Sequence, residues 1–238
     1  MKKLSTDKYQ TLIKRAVGHF WKTRGTQKNS ENKKADQGNR GAVTGAKQLD
    51  GFIELLYKVS TDMGVPKDWI YTKGNTLPGF FRPTKNWDFL IISPQSELLV
   101  VIEFKSHVGS FGNNFNNRTE EAVGNAVDLW TAYRERSFEQ IQAPWLGFLI
   151  LVEKSEGSVR PVKVKEPYFE VRKEFSGTSY LDRYALLCQK LMLEKHYSHA
   201  GLIWSDNKSK FGSLDDSISV DSFLMSYMGH LHGKSKLF

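Results

Sequence analysis

A single cysteine, Cys188, in 238 residues excludes an internal disulfide and any cysteine-rich zinc site. No apolar run approaches the ~20 residues needed to span a bilayer, and no stretch has the make-up of a secretory signal. A soluble, cytoplasmic protein with no membrane partner is the expectation. Internal repeats, low-complexity tracts and linkers are also missing, so residues 1–238 are expected to form one domain with a full core. Nor is there an acidic excess: 34 Lys and Arg against 26 Asp and Glu leave a net charge of +8, with a pI near 9.4. A basic balance of this size favours a polyanionic partner.

What is present centres on Lys85 to His107. Trp87 to Ile92 and Leu98 to Phe104 are apolar runs rich in aromatic and β-branched residues, the pattern of two strands. Ser93-Pro94-Gln95-Ser96 between them suits a type I turn. Pairing Ser93 with Leu98 sets Asp88 straight across from Glu103. The pleat sends Glu103 and Lys105, two apart, to one face. Two carboxylates and an ammonium thus converge in a hairpin whose second strand is apolar on both faces, as central strands are. Buried charges need partners or a metal. The cluster is therefore either a structural ion pair or a divalent-metal site with Asp88 and Glu103 as hard oxygen ligands. In the second case Lys105 orients or deprotonates an attacking water.

Before this hairpin, Ser5 to Trp21 has helical spacing, and residues 22–48 read as a mobile Gly/Asn/Lys-rich loop. That loop is either a solvated surface or a basic arm on a phosphate backbone, with Lys33, Lys34 and Arg40 as its contacts. A second helix spans about Ala46 to Met63. On it Glu54 is either a solvent-facing residue or a helix-borne carboxylate that helps hold a second metal. Trp69 to Thr72 is a short strand, and Gly74 to Thr84 a loop carrying Arg82, which with Lys85 is a candidate DNA contact. After the hairpin, residues 109–118 read as an Asn/Gly turn containing Asn113, Asn114, Asn116, Asn117 and Arg118. Asparagine pairs with adenine and arginine with guanine in the major groove, so DNA contact competes here with a turn whose side chains satisfy its own backbone. Asn117 and Glu120 fit a capping box for a helix over Thr119 to Arg136. Trp145 to Val152 is a buried strand, Ser179 to His196 a helix with Cys188 in its core stripe, Ala200 to Trp204 a strand, and Val220 to Leu231 a last helix. The expected fold is a central mixed sheet flanked by helices.

Asp88, followed on the next strand by Glu103-x-Lys105, resembles the PD-(D/E)xK nuclease motif, although Trp87 and not proline precedes the aspartate. Longer stretches are more specific. LPGFFRPTKNWDFL (77–90), EFKSHVGSFGNNFNNRTEEAVGNAVDL (103–129), WLGFLILVE (145–153) and SGTSYLDRYALLCQKL (176–191) are similar to the XhoI family of type II restriction endonucleases, over residues 50–193. The resemblance implies a homodimeric, Mg²⁺-dependent enzyme of the PD-(D/E)xK fold that cuts both strands of CTCGAG after the first C, in a host with a matching DNA methyltransferase. It places Asp88, Glu103 and Lys105 as catalytic residues, with Asp88, Glu103 and the Phe104 main-chain carbonyl on the metal. His107 follows on the same face, either touching the phosphate or simply entering the loop. Two other readings remain open at this point: a DNA-binding protein that does not cut, and a junction-resolving nuclease of the same superfamily.

Overall fold

Two long apolar strands form the middle of the protein because neither has a polar face to offer water. They are β5 (Leu98–His107) and β6 (Trp145–Glu153), paired in parallel. The computed structural model describes residues 4–31, 47–139, 142–166 and 168–238. Around this pair the sheet has six strands: β1 (Ile70–Tyr71), β4 (Phe89–Ile92), β5, β6, β7 (His199–Ser205) and β8 (Phe211–Gly212), in that order. β6 and β7 are parallel, and the other neighbours antiparallel. A separate two-stranded hairpin joins β2 (Thr76–Pro78) to β3 (Thr84–Asn86).

Helices cover both faces. On one lie α1 (Gln10–Glu31), α2 (Asp50–Asp62) and α6 (Val220–Gly233), packed on Phe89, Ile102, Phe104 and Leu149. On the other lie α3 (Phe111–Arg134) and α5 (Tyr180–Leu193), packed on Leu90, Val101, Phe148 and Ile150. The short α4 (Glu156–Val159) precedes α5. The expected mixed sheet flanked by helices is therefore present. Among the described residues no helix is long and apolar enough to cross a membrane. Cys188 is fully buried, and burial pushes its thiol up to about 12.

Four expectations need correction. The first helix continues past Trp21 to Glu31, so residues 22–31 are helix, not loop. Lys33, Lys34 and Arg40 lie outside the described residues. Residues 74–84 hold most of the β2–β3 hairpin, closed by Leu77, which is buried and paired with Lys85. Residues 111–118 are helix: α3 starts at Phe111, so Asn117 lies inside it and caps nothing. Phe111 and Phe115, one turn apart, stack against Tyr180, and Phe115 also meets Tyr184. This aromatic packing overrides the turn preference of the asparagines. Last, Ser93 pairs with Glu97 rather than Leu98, its N–H donating to the Glu97 carbonyl at 2.9 Å. A bulge between Ile91 and Ile92 and their partners absorbs the extra residue. From Ile91↔Val100 through Phe89↔Ile102 the register is the expected one.

Candidate active site

Asp88 sits just before β4, one residue beyond the last pair, Phe89↔Ile102, and so is not itself paired with Glu103. Its N–H donates to the Ile102 carbonyl at 3.2 Å, and the Phe104 N–H donates to its Oδ2 at 2.6 Å. These two bonds straddle Glu103 and hold the carboxylates of Asp88 and Glu103 to one region. Glu103 points to the α3 side of the sheet, in line with Val101, and is only 2% exposed.

A carboxylate so deeply buried must be matched, and Glu103 has three donors. Lys105 Nζ lies 2.7 Å from Oε1, Lys85 Nζ 2.9 Å from Oε2, and Asn125 Nδ2 3.3 Å from Oε1. Lys85 arrives from β3, its ammonium 4.5 Å from the centre of the Trp87 ring. Asn75 anchors Trp87 by accepting its N–H at 3.0 Å and donating to its carbonyl. Beyond Lys105 the charges continue: its Nζ is 3.8 Å from Glu121 Oε2, which is 2.5 Å from Arg118 Nη1.

Protonation follows from this crowding. Burial, then the charge of Glu103, raise the Asp88 carboxyl to about 6, against the pull of the Phe104 N–H and the two ammonium groups. Burial alone would lower the Lys105 pKa. The Glu103 carboxylate, helped by Asp88 and Glu121, outweighs it and holds the ammonium above the ordinary lysine range. Lys105 is thus cationic at neutral pH. As an ammonium it can orient a water or a phosphate.

The donor set fits a divalent cation. Asp88 and Glu103 are hard oxygen donors placed side by side at a cost visible in the raised Asp88 carboxyl, and a small dication is the partner that removes that cost. Among the described residues no three His, Cys, Asp or Glu side chains converge into a complete cage. Two carboxylates with the remaining positions left to water and substrate is the pattern Mg²⁺ favours.

Other expected site residues fall elsewhere. Glu54 is exposed on α2, across the sheet from Glu103, in a hollow lined by Arg15, His19 and Gly51. The structure does not bring it to the cluster. His107 is buried against Phe111 and bonded to Tyr184, so it faces packing and not substrate. Arg82 Nε donates to Asp128 Oδ2 at 2.8 Å and its Nη2 to Asn125 Oδ1 at 2.8 Å, which makes it an anchor of the β2–β3 hairpin. Asn114 is half-buried and donates to the Ser110 carbonyl at 3.3 Å. Asn113, Asn116 and Asn117 are exposed, and with Glu120 they share one face of α3 at three- and four-residue spacing.

Comparison with known proteins gives this geometry its context. The model of the family described as restriction endonuclease XhoI matches residues 28–215. This chain belongs to that family. Type II restriction enzyme BstVI of Geobacillus stearothermophilus is 42% identical, over 88% of this chain and 98% of its own length. Type II restriction enzyme XhoI of Xanthomonas vasicola is also 42% identical, over 80% of this chain and 78% of its own. Type II restriction enzyme AbrI of Azospirillum brasilense is 45% identical, over 68% and 74%. No solved structure matches.

In this XhoI-family chain, reading the sequence alone overlooks Asn125 and Asp128. Asp128 is 4% exposed. Burial would raise its pKa, yet the Phe81 N–H, the Arg82 guanidinium and the Phe80 N–H together keep it below the usual carboxylate range. The available signal was position: Asn125 and Asp128 interrupt the buried face of α3 among Ala122, Ala126 and Leu129. A polar residue at such a place has a partner to serve.

Proposed function

We propose that this type II restriction endonuclease is a homodimeric, Mg²⁺-dependent enzyme that cuts both strands of duplex DNA at CTCGAG after the first C, leaving 5′ overhangs. One observation carries the reading: a buried Glu103 shares two lysine ammonium groups, with the Asp88 carboxylate held beside it by the Phe104 N–H. The relatives' names supply the site-specific nuclease class, and the resemblance to the XhoI family supplies the target.

Asp88, Glu103 and the Phe104 carbonyl would hold Mg²⁺. That ion supplies Lewis-acid polarisation of the scissile phosphate and makes water acidic enough to act as a nucleophile near neutral pH. The chain's own groups do the rest. Lys105 orients the attacking water and offsets the charge that develops on the phosphate. Lys85 places a second ammonium on the opposite oxygen of Glu103, so the carboxylate is aimed before substrate arrives. Lys33, Lys34 and Arg40 are proposed phosphate contacts outside the described residues. Arg82 and Arg118 support the site through Asp128 and Glu121.

Base reading falls to the exposed face of α3. Asn113, Asn116 and Asn117 stand on a helix beside the cluster, as a major-groove reader requires. Replacing any one by Ala is expected to weaken cognate binding by about 1–3 kcal/mol and to leave random DNA nearly unchanged. Fluorescence anisotropy on both duplexes checks this, and equal losses would assign the face to the backbone. A palindrome shows each half-site twice, so a twofold dimer with one cluster per subunit meets and cuts both strands. A host that makes such an enzyme must mark its own CTCGAG sites, which implies a matching methyltransferase.

Plasmid digestion with Mg²⁺ or chelator, followed by end sequencing and sedimentation, tests the reading. Mg²⁺-dependent fragments all ending 5′-TCGA, from a dimer, are the expected result. Ends set by branching, ends with no common sequence, or a monomer on a CTCGAG duplex would overturn it.

A further inference from the structure

The hairpin that carries Lys85 ends in a tip that the chemistry described so far does not use. Gly79 to Pro83 join β2 to β3 and present Phe80 and Phe81, 50% and 69% exposed. The rings meet edge to face at 5.0 Å. Paired phenylalanines in water are unfavourable, and a pliant loop would turn them inward. This loop is not pliant.

Asp128 Oδ1 accepts both the Phe80 and Phe81 N–H groups, at 2.9 and 2.8 Å. Its Oδ2 accepts Arg82 Nε, and Arg82 Nη2 reaches Asn125. Gly79 is packed so closely that a Cβ there would lie 2.6 Å from the Arg82 carbonyl oxygen and 2.7 Å from Asp128 Oδ2. The tip is fixed from beneath by a buried carboxylate, and the rings are held outward.

Its position gives the rings a partner. Asn125, which receives Arg82, also donates to Glu103. Only two side chains therefore separate the rings from the candidate catalytic carboxylate. A hollow lined by Phe81, Arg82, Glu120, Glu121, Gly124 and Asn125 links the tip to the Asn-bearing face of α3. The tip and Glu103 thus share one side of the molecule. Duplex DNA offers a rigid apolar ring one place out of water, between stacked base pairs.

We propose that Phe81, braced by Phe80, is a wedge that enters the DNA beside the cleavage site and partly unstacks one base step. This rests on the reading of the chain as a DNA endonuclease. The wedge also makes the ease of unstacking a part of site choice. The central CG of CTCGAG is a pyrimidine–purine step, and steps of that class deform readily.

The test uses CTCGAG duplexes with 2-aminopurine at successive positions in and beside the site. They are bound by the full-length protein in Ca²⁺ and cut in Mg²⁺. The wild type is expected to raise the fluorescence severalfold at one position. Phe81→Ala should still bind, lose that rise and cut about ten- to a hundredfold more slowly, the range set by loss of one aromatic–base contact. Phe81→Trp should restore both. If the wild type cuts and Phe81→Ala cuts equally well with an unchanged fluorescence profile, the wedge alone is refuted. If the wild type neither binds nor cuts these duplexes, the endonuclease reading at CTCGAG falls, and the wedge with it.

Discussion

Glu103→Gln is expected to cut a CTCGAG duplex at least about a thousandfold more slowly than the wild type while remaining folded and able to bind it. The substitution keeps the shape of the side chain and the hydrogen-bond acceptor facing Asn125. What it removes is charge: Lys85 and Lys105 lose the carboxylate they share, and the proposed Mg²⁺ would lose one of its two carboxylate ligands. Both ammonium groups retain access to solvent, at 12% and 24% exposure. Their four-carbon stems let them turn outward instead of remaining buried and unpaired. The loss should therefore appear in single-turnover cleavage and in metal affinity, not in binding of DNA. Turnover within tenfold of the wild type would remove Glu103 from the chemistry.

Asp88→Asn should abolish cleavage equally, yet make the metal-free protein more stable. The Asp88 carboxyl is raised from 3.8 to about 6, because the fold buries it beside Glu103. For a group raised in the folded state, its favourable contribution is complete below the unfolded value and is lost as pH climbs through the folded one. Wild-type protein should therefore lose stability between about pH 4 and 6 in a way the variant does not. Two pKa units correspond to about 3 kcal/mol, so the variant should lead by 2–3 kcal/mol at pH 8 and by nearly nothing at pH 4. Asparagine can still accept the Phe104 N–H, so backbone geometry is retained. Urea titrations with chelator present measure the difference. Added Mg²⁺ should stabilise the wild type and leave the variant unmoved. A variant less stable than the wild type at pH 8 would mean that burial and the Glu103 charge do not raise the Asp88 carboxyl as described.

How far the sequence discloses this site depends on the range of the contacts involved. The β4–β5 hairpin is written in two apolar runs and a turn, so the register that brings Asp88 near Glu103 is legible from local pattern alone. The Leu99 bulge leaves no mark in composition. Hairpin β2–β3 is hidden because Thr84-Lys85-Asn86 lacks alternation and its tip is held by Asp128, far along the chain. The same distance hides the role of Lys85, which lies near Asp88 in sequence but acts on the next strand. Residues 111–118 mislead for the opposite reason. Their asparagines favour turns locally, and only the burial of Phe111 and Phe115 against α5 makes them helical. Glu54 stays open between solvent and the site because helical periodicity says which residues share a face, not which side of a sheet that face will meet; the structure leaves it exposed.

The bulge between the pairs Ile91↔Val100 and Ile92↔Leu98 sets how the turn connects to this hairpin. A turn that loses or gains a residue ordinarily forces the following strand to slip, and a slip of one residue turns every side chain to the opposite face. Here the irregularity lies between the turn at 93–97 and the paired stretch that ends at Phe89 and Ile102, next to Asp88 and Glu103. It takes up the one-residue offset between that turn and the pairing from Ile91↔Val100 onward, so the register that reaches the carboxylates is set beyond the turn. A residue inserted after Val100, past the bulge, would carry Glu103 and Lys105 to the wrong side of the sheet.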